Sequence, residues 1–210
     1  MILMNYLSRF RQWIFAPVAA LILTSASPAG VASNEILDYR GFAVDLSAAR
    51  NAPNLSDIES SVHRQIDIVA DCGASPATLA FFRAQHISLS ANGGDGGGRF
   101  NQDSGVQIDA APEPADEPIL LHEMLHAYHA RVLPDGFRNP EIAVFYLRAK
   151  RTGLYPADAF VLSNRVEFFA ITASLYLFGH VDRPPFTREN LRARQPYYYD
   201  WLGRQFGVRK

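Results

Sequence analysis

Cysteine is almost absent from this chain: Cys72 is the single one in 210 residues. No disulfide can form within the chain even in an oxidising compartment, no Cys-rich metal site can be built, and a buried, inert thiol is the expected role. An excess of charge of one sign is missing too. Twenty Lys and Arg stand against 21 Asp and Glu, which excludes both the basic footprint of a nucleic-acid binder and an acidic tail. Long hydrophobic runs are also lacking: the stretch from Trp13 to Leu23 supplies roughly eleven apolar residues, short of the ~20 that span a bilayer. The run Gly93-Gly94-Asp95-Gly96-Gly97-Gly98 has no Gly-Lys-Ser/Thr ending. It therefore lacks the lysine and hydroxyl that grip nucleotide phosphates, and reads as a flexible loop.

What is present suits a globular protein. A 48% hydrophobic and 12% aromatic content over this length predicts one domain with a real core. The first 32 residues read apart from it as an export signal: Arg9 and Arg11 in a positive leader, the apolar stretch, then small residues with cleavage points after Ala29 or Ala32. No cysteine follows the apolar stretch to accept a lipid. The expected product is exported, periplasmic or secreted, without a stable membrane anchor. Removing residues 1–32 takes away two arginines and no acids, which leaves 18 basic against 21 acidic and a net charge of −3.

Along the rest of the chain, Phe42, Val44 and Leu46 alternate with Ala43 and Asp45 as in a half-buried strand. Ser56-Asp57-Ile58-Glu59 reads as a capping box opening a helix with Ile58, Val62, Ile66 and Val69 on one face, ending near Gly73. A second helix is expected from Ser75, with Pro76 in its first position. Ile87-Ser88-Leu89 and Val106-Gln107-Ile108 read as two arms of a hairpin around the glycine run. Asp116 is the expected cap of a helix through His122 and His126 to about Val132. Asn139-Pro140 starts another helix, reaching Gly153, and Asn164 caps a third, running through Glu167 to Gly179. Thr187 and the cluster Tyr197, Tyr198, Tyr199, Trp201 and Phe206 suggest one or two closing helical turns.

Chemistry concentrates in His122-Glu123-Met124-Leu125-His126. Residues four apart on a helix lie about 40° apart on one face, so both imidazoles can reach one metal. Glu123 sits off that axis, where its carboxylate can serve a water as general base. With six histidines in the chain, chance placement gives this pattern only on the order of once in a hundred such chains. The bland alternative is an apolar core helix with two satisfied histidines, since Leu121, Leu125 and Tyr128 flank them. A catalytic zinc takes three protein ligands and leaves a fourth position open. His129 stands about 10 Å along the helix axis from His122, too far to share an ion easily. Glu167 is better placed, one turn into its own helix among Phe168, Phe169 and Ala170, where an ionised carboxylate needs a partner. A first-turn acid facing its helix dipole is the alternative for Glu167.

Two segments, His122–His126 and Asn164-Arg165-Val166-Glu167-Phe168-Phe169-Ala170, resemble the Glu-zincin (gluzincin) metallopeptidases. Within them the chain is similar to the group of the anthrax lethal factor protease domain and the Mlc titration factor A peptidases. The resemblance covers roughly residues 116–179. It implies that His122, His126 and Glu167 bind Zn2+, that Glu123 polarises the water, and that a peptide or protein is the substrate. The fold it implies, joined to the pattern above, is α+β: a zincin-like single domain over residues 33–210, with a small N-terminal sheet and hairpin packed on the active helix and a helical C-terminal half.

One position departs from the group. Its members often carry a tyrosine seven residues before the ligand glutamate, where the hydroxyl can stabilise an oxyanion; here that position is Phe160, which cannot donate. Tyr155, Tyr128 and His129 are the candidate replacements. Two functions stay open: an exported zinc peptidase, or a zinc-stabilised binding protein of peptidase descent with weak or no turnover. Two features are given no functional weight: Arg99 as a solvated arginine, and His180-Val181-Asp182-Arg183 before Pro184-Pro185 as a surface turn.

Overall fold

The computed structural model describes residues 35–91 and 97–208, and the expected export signal lies outside them. All described residues fall within one compact unit, Asn34–Lys210. Strands β1 (Ile36–Tyr39) and β2 (Phe42–Asp45) pair antiparallel around Arg40-Gly41. Both turn residues have positive φ, 51° and 82°, the turn that matches the twist of paired strands. Arg40 accepts that geometry while its guanidinium is held by Asp67 at 2.7 Å and Asp71 at 2.6 Å, both on α1 (Leu55–Asp71). Strand β1 went unforeseen, although the Arg-Gly turn before Phe42 was its signal.

Helix α1 begins one residue before the expected capping box, with Asn54 at the cap position and no side-chain cap bond. Ser56 lies inside the helix instead, so the box does not form. Helix α2 (Pro76–Arg83) starts as expected, Ser75 Oγ accepting the Thr78 N–H. The hairpin is a different one from that expected. Strand β3 (Ile87–Ser90) pairs parallel with β5 (Gly105–Asp109), and the antiparallel partner of β5 is β4 (Gly98–Asn101). The sheet order is β1-β2-β3-β5-β4, which leaves β4 at one edge. Phe42, Val44, Ile87, Leu89, Val106 and Ile108 form its buried face.

Helix α3 (Ile119–Arg131) packs against β4, β5, α1 and the later helix α5 (Arg165–Phe178). It is apolar nearly all round, as a helix buried on several sides must be. Its cap position is Pro118, two residues past the expected Asp116, and no local side chain caps it. Gln65 of α1 does so from outside: its Oε1 accepts the Leu120 N–H at 3.0 Å and its Nε2 donates to Glu117 O at 2.8 Å. Helices α4 (Pro140–Arg151), capped by Asn139, and α5, capped by Asn164, form as the sequence predicts. The expected closing turns are two helices, α6 (Arg188–Arg194) and α7 (Pro196–Phe206). Phe206 packs on Tyr128, Phe169 and Tyr176, so α7 closes the core behind α3 and α5. No helix among the described residues is long and apolar enough to cross a membrane.

Candidate active site

His122, Glu123 and His126 lie on α3, one turn into the helix, and α5 crosses beside them. The first turn of α5 is fixed by Asn164, whose Oδ1 accepts the Val166 N–H at 2.8 Å and the Glu167 N–H at 2.9 Å. That cap brings the Glu167 carboxylate to both imidazoles: Oε2 is 3.2 Å from His122 Nε2 and Oε1 is 3.5 Å from His126 Nε2. The two Nε2 atoms are 3.0 Å apart. Donors held about 2.0–2.1 Å from one ion in tetrahedral array stand about 3.3 Å from each other. The two nitrogens and the two carboxylate oxygens lie close to that spacing, and a set of two imidazoles and one carboxylate suits zinc, leaving one position open. His126 Nδ1 and Glu123 Oε2 are buried without a hydrogen-bond partner.

Glu123 lies beside these groups, its carboxylate within 4.8 Å of both histidine nitrogens but in no ion pair with them. Burial pushes it up to about 7; Glu167 adds to the rise, while His126 and the Phe100 N–H oppose it. Burial likewise raises Glu167, yet the hydrogen bonds and charges of His122 and His126 outweigh it and hold the carboxyl below its ordinary range. His122 is lowered, chiefly by burial, against the hydrogen bond to Glu167.

Strand β4 runs along Glu123. A Cβ on Gly98 would meet Glu123 Cγ at 2.7 Å and Gln107 O at 2.9 Å, so only glycine fits there. The strand is anchored at its start by Glu113, whose carboxylate oxygens accept the Gly97 N–H at 2.8 and 3.0 Å. Asp109 N donates to Gly97 O. From that pair the alternation of an antiparallel ladder turns the backbone groups of Gly98 and Phe100 away from β5. The Phe100 N–H is turned toward Glu123; the groups of Gly98 face outward.

These elements wall a cleft of about 480 Å³ that holds His122, Glu123, His126 and Glu167 with Phe137, Phe160, Ile171 and Arg183. The three candidate donors do not line it. Tyr128 donates to Gln205 O at 2.9 Å, Tyr155 accepts from Gln195 Nε2 at 2.7 Å, and His129 is buried between Phe137 and Phe169. The residue that sequence reasoning set aside does line it: Arg183, whose guanidinium carbon is 5.5 Å from the Phe160 ring centroid. Nothing in its spacing from the motif marks it, because a loop after α5 folds it back. Arg99 also lines the cleft, with its guanidinium engaged by Gln107 and Ser90.

No family model and no curated protein matches this chain. Among solved structures it is similar to the PRO-PRO endopeptidase (PPEP-2) from Paenibacillus alvei, at 18% identity and a TM-score of 0.52, over 78% of this chain and 97% of that one. The two share a fold, and the small zincin-like α+β domain expected from the sequence is the one the chain adopts.

Proposed function

We propose that this protein is a zinc-dependent peptidase, with His122, His126 and Glu167 as the ligands and Glu123 as general base. The observation that carries the reading is the convergence of two imidazoles and one carboxylate from two helices, at 3.0, 3.2 and 3.5 Å, with a buried carboxylate beside them whose Oε2 has no hydrogen-bond partner. A fold shared with an endopeptidase supports a peptide bond as the target.

When bound, zinc would supply Lewis acidity, easing deprotonation of an attacking water and polarising the scissile carbonyl. Glu123 accepts one proton from that water as its oxygen bonds to the carbonyl carbon, then gives the proton to the departing amine as the C–N bond breaks. Burial favours the protonated carboxyl between those two moments. The outward groups of Gly98 are placed to pair with an extended peptide lying along β4, a common use of a sheet edge.

Metal analysis with kinetics tests the reading. One zinc per chain is expected, with peptide hydrolysis lost in Glu123→Gln and zinc retained; a metal-free wild type, or activity surviving that substitution, refutes it. A second reading, a zinc-stabilised binding protein, is favoured by Phe160 and by the absence of Tyr128, Tyr155 and His129 from the cleft. It expects zinc without cleavage and peptide binding indifferent to Glu123→Gln. Export belongs to the same proposal: mature protein recovered outside the cytoplasm should begin at Gly30 or Ser33 by mass spectrometry.

A further inference from the structure

Adding water to an amide gathers negative charge on the carbonyl oxygen, and donors already aimed at that charge give large rate effects. The cleft holds few. Arg99 spends Nε on Gln107 Oε1 at 2.7 Å and Nη2 on Ser90 Oγ at 3.0 Å. By strand alternation these lie on the sheet face turned away from Glu123.

Arg183 differs on each count. It lines the same cleft as His122, Glu123 and Glu167, and its charge is felt at His122. Its Nε is bound by Asp182 Oδ1 at 2.9 Å, while its terminal nitrogens hydrogen-bond to no described residue. The loop presenting it is closed by a His180–Thr187 bridge, by Val181 N donating to Phe186 O at 3.0 Å, and by Phe186 N donating to Arg183 O at 2.8 Å. Phe160, half exposed, lies under the guanidinium. A planar cation resting on a ring is oriented before substrate arrives.

We propose that Arg183 donates to the oxyanion formed in the addition step, with Phe160 as a positioning residue beneath it; this rests on the peptidase reading. As the water oxygen bonds to the carbonyl carbon, the carbonyl π pair moves onto oxygen and meets the terminal N–H groups of Arg183. Glu123 holds the water's proton. When the pair returns, the C–N bond breaks and the amine takes that proton. Arg183 keeps its own protons throughout.

The test uses the purified zinc-loaded protein. Arg183→Ala should lower kcat by roughly 10²–10³ with KM and zinc content unchanged. Arg183→Lys should fall between, and added guanidinium ion should restore part of the loss. Phe160→Leu should reduce kcat in the parent and add little in the Arg183→Ala background, as coupled residues do. Separately from turnover, Arg183→Ala should weaken binding of a phosphonate peptide, a tetrahedral anion, far more than binding of the uncharged parent peptide to Glu123→Gln. A raised KM at constant kcat overturns the proposal and assigns Arg183 to a substrate carboxylate; unchanged kinetics overturn it outright. Loss of kcat alone in a competent wild type supports it, whereas a wild type without hydrolysis removes the peptidase reading and this proposal together.

Discussion

Gly98 and Glu123 occupy one space. Because the missing Cβ of Gly98 would stand 2.7 Å from Glu123 Cγ, Gly98→Ala must push either the strand or the carboxylate aside. We expect hydrolysis to fall at least tenfold with zinc content retained, and the unfolding midpoint to drop as well because Gln107 O stands 2.9 Å from the same Cβ, measured by kinetics, metal analysis and thermal denaturation. His129 makes a different prediction. It is fully buried with neither ring nitrogen bonded, and burial, helped by His126 and Arg165, pushes it down to about 4. The fold therefore holds it neutral: its contribution is complete above the unfolded value near 6.5 and is lost as pH falls through 4. The gap between 6.5 and about 4 sets a ceiling of about 3 kcal/mol on that contribution. In zinc-free protein His129→Leu should flatten the decline in stability between pH 6.5 and 5, read by denaturant unfolding; an unaltered slope would refute the argument. At this scale the sequence picked out four residues that the structure brings together, since their spacing is set by one helix and one cap. Arg183 was not legible, because its place depends on a loop folding back across the cleft.

Helix α3 depends on α1 for its first turn. Gln65 answers one orphan N–H and one carbonyl at the start of α3, and Ser61, a turn earlier, accepts the Glu113 N–H at 2.7 Å. Gln65→Leu would leave the buried Leu120 N–H unpaired, while Glu117 O keeps the Ile119 N–H. A loss of about 1–3 kcal/mol is expected in denaturant titration, against about 0.5 or less for the exposed Ser60→Ala. Caps supplied by the next residues in sequence, at Ser75, Asn139 and Asn164, could be read directly. This one could not, and the acid at 116 drew the assignment because nothing local competes with it. The hairpin error has the same origin: neighbouring β segments suggest antiparallel pairing, whereas β3 and β5 lie parallel with β4 on the far side of β5.

Across the molecule, α3 and α5 are joined at the site by three donors and otherwise by apolar packing alone. An ion there acts as a cross-link between helices. Zinc at a thousandfold excess over its Kd should add about 4 kcal/mol of stability, seen as a higher thermal midpoint that chelator removes. Glu167→Gln should shrink that shift and Arg183→Ala should leave it intact; a midpoint indifferent to chelator would exclude a structural metal.

The exposed side of β4 has one more consequence, for self-association. Unpaired strand edges template aggregation when a second sheet can dock on them. Here the strand packs against α3 and Gly98 lines the cleft, so its outward groups are approached from within that cleft, a space suited to a single extended strand rather than to the border of a second sheet.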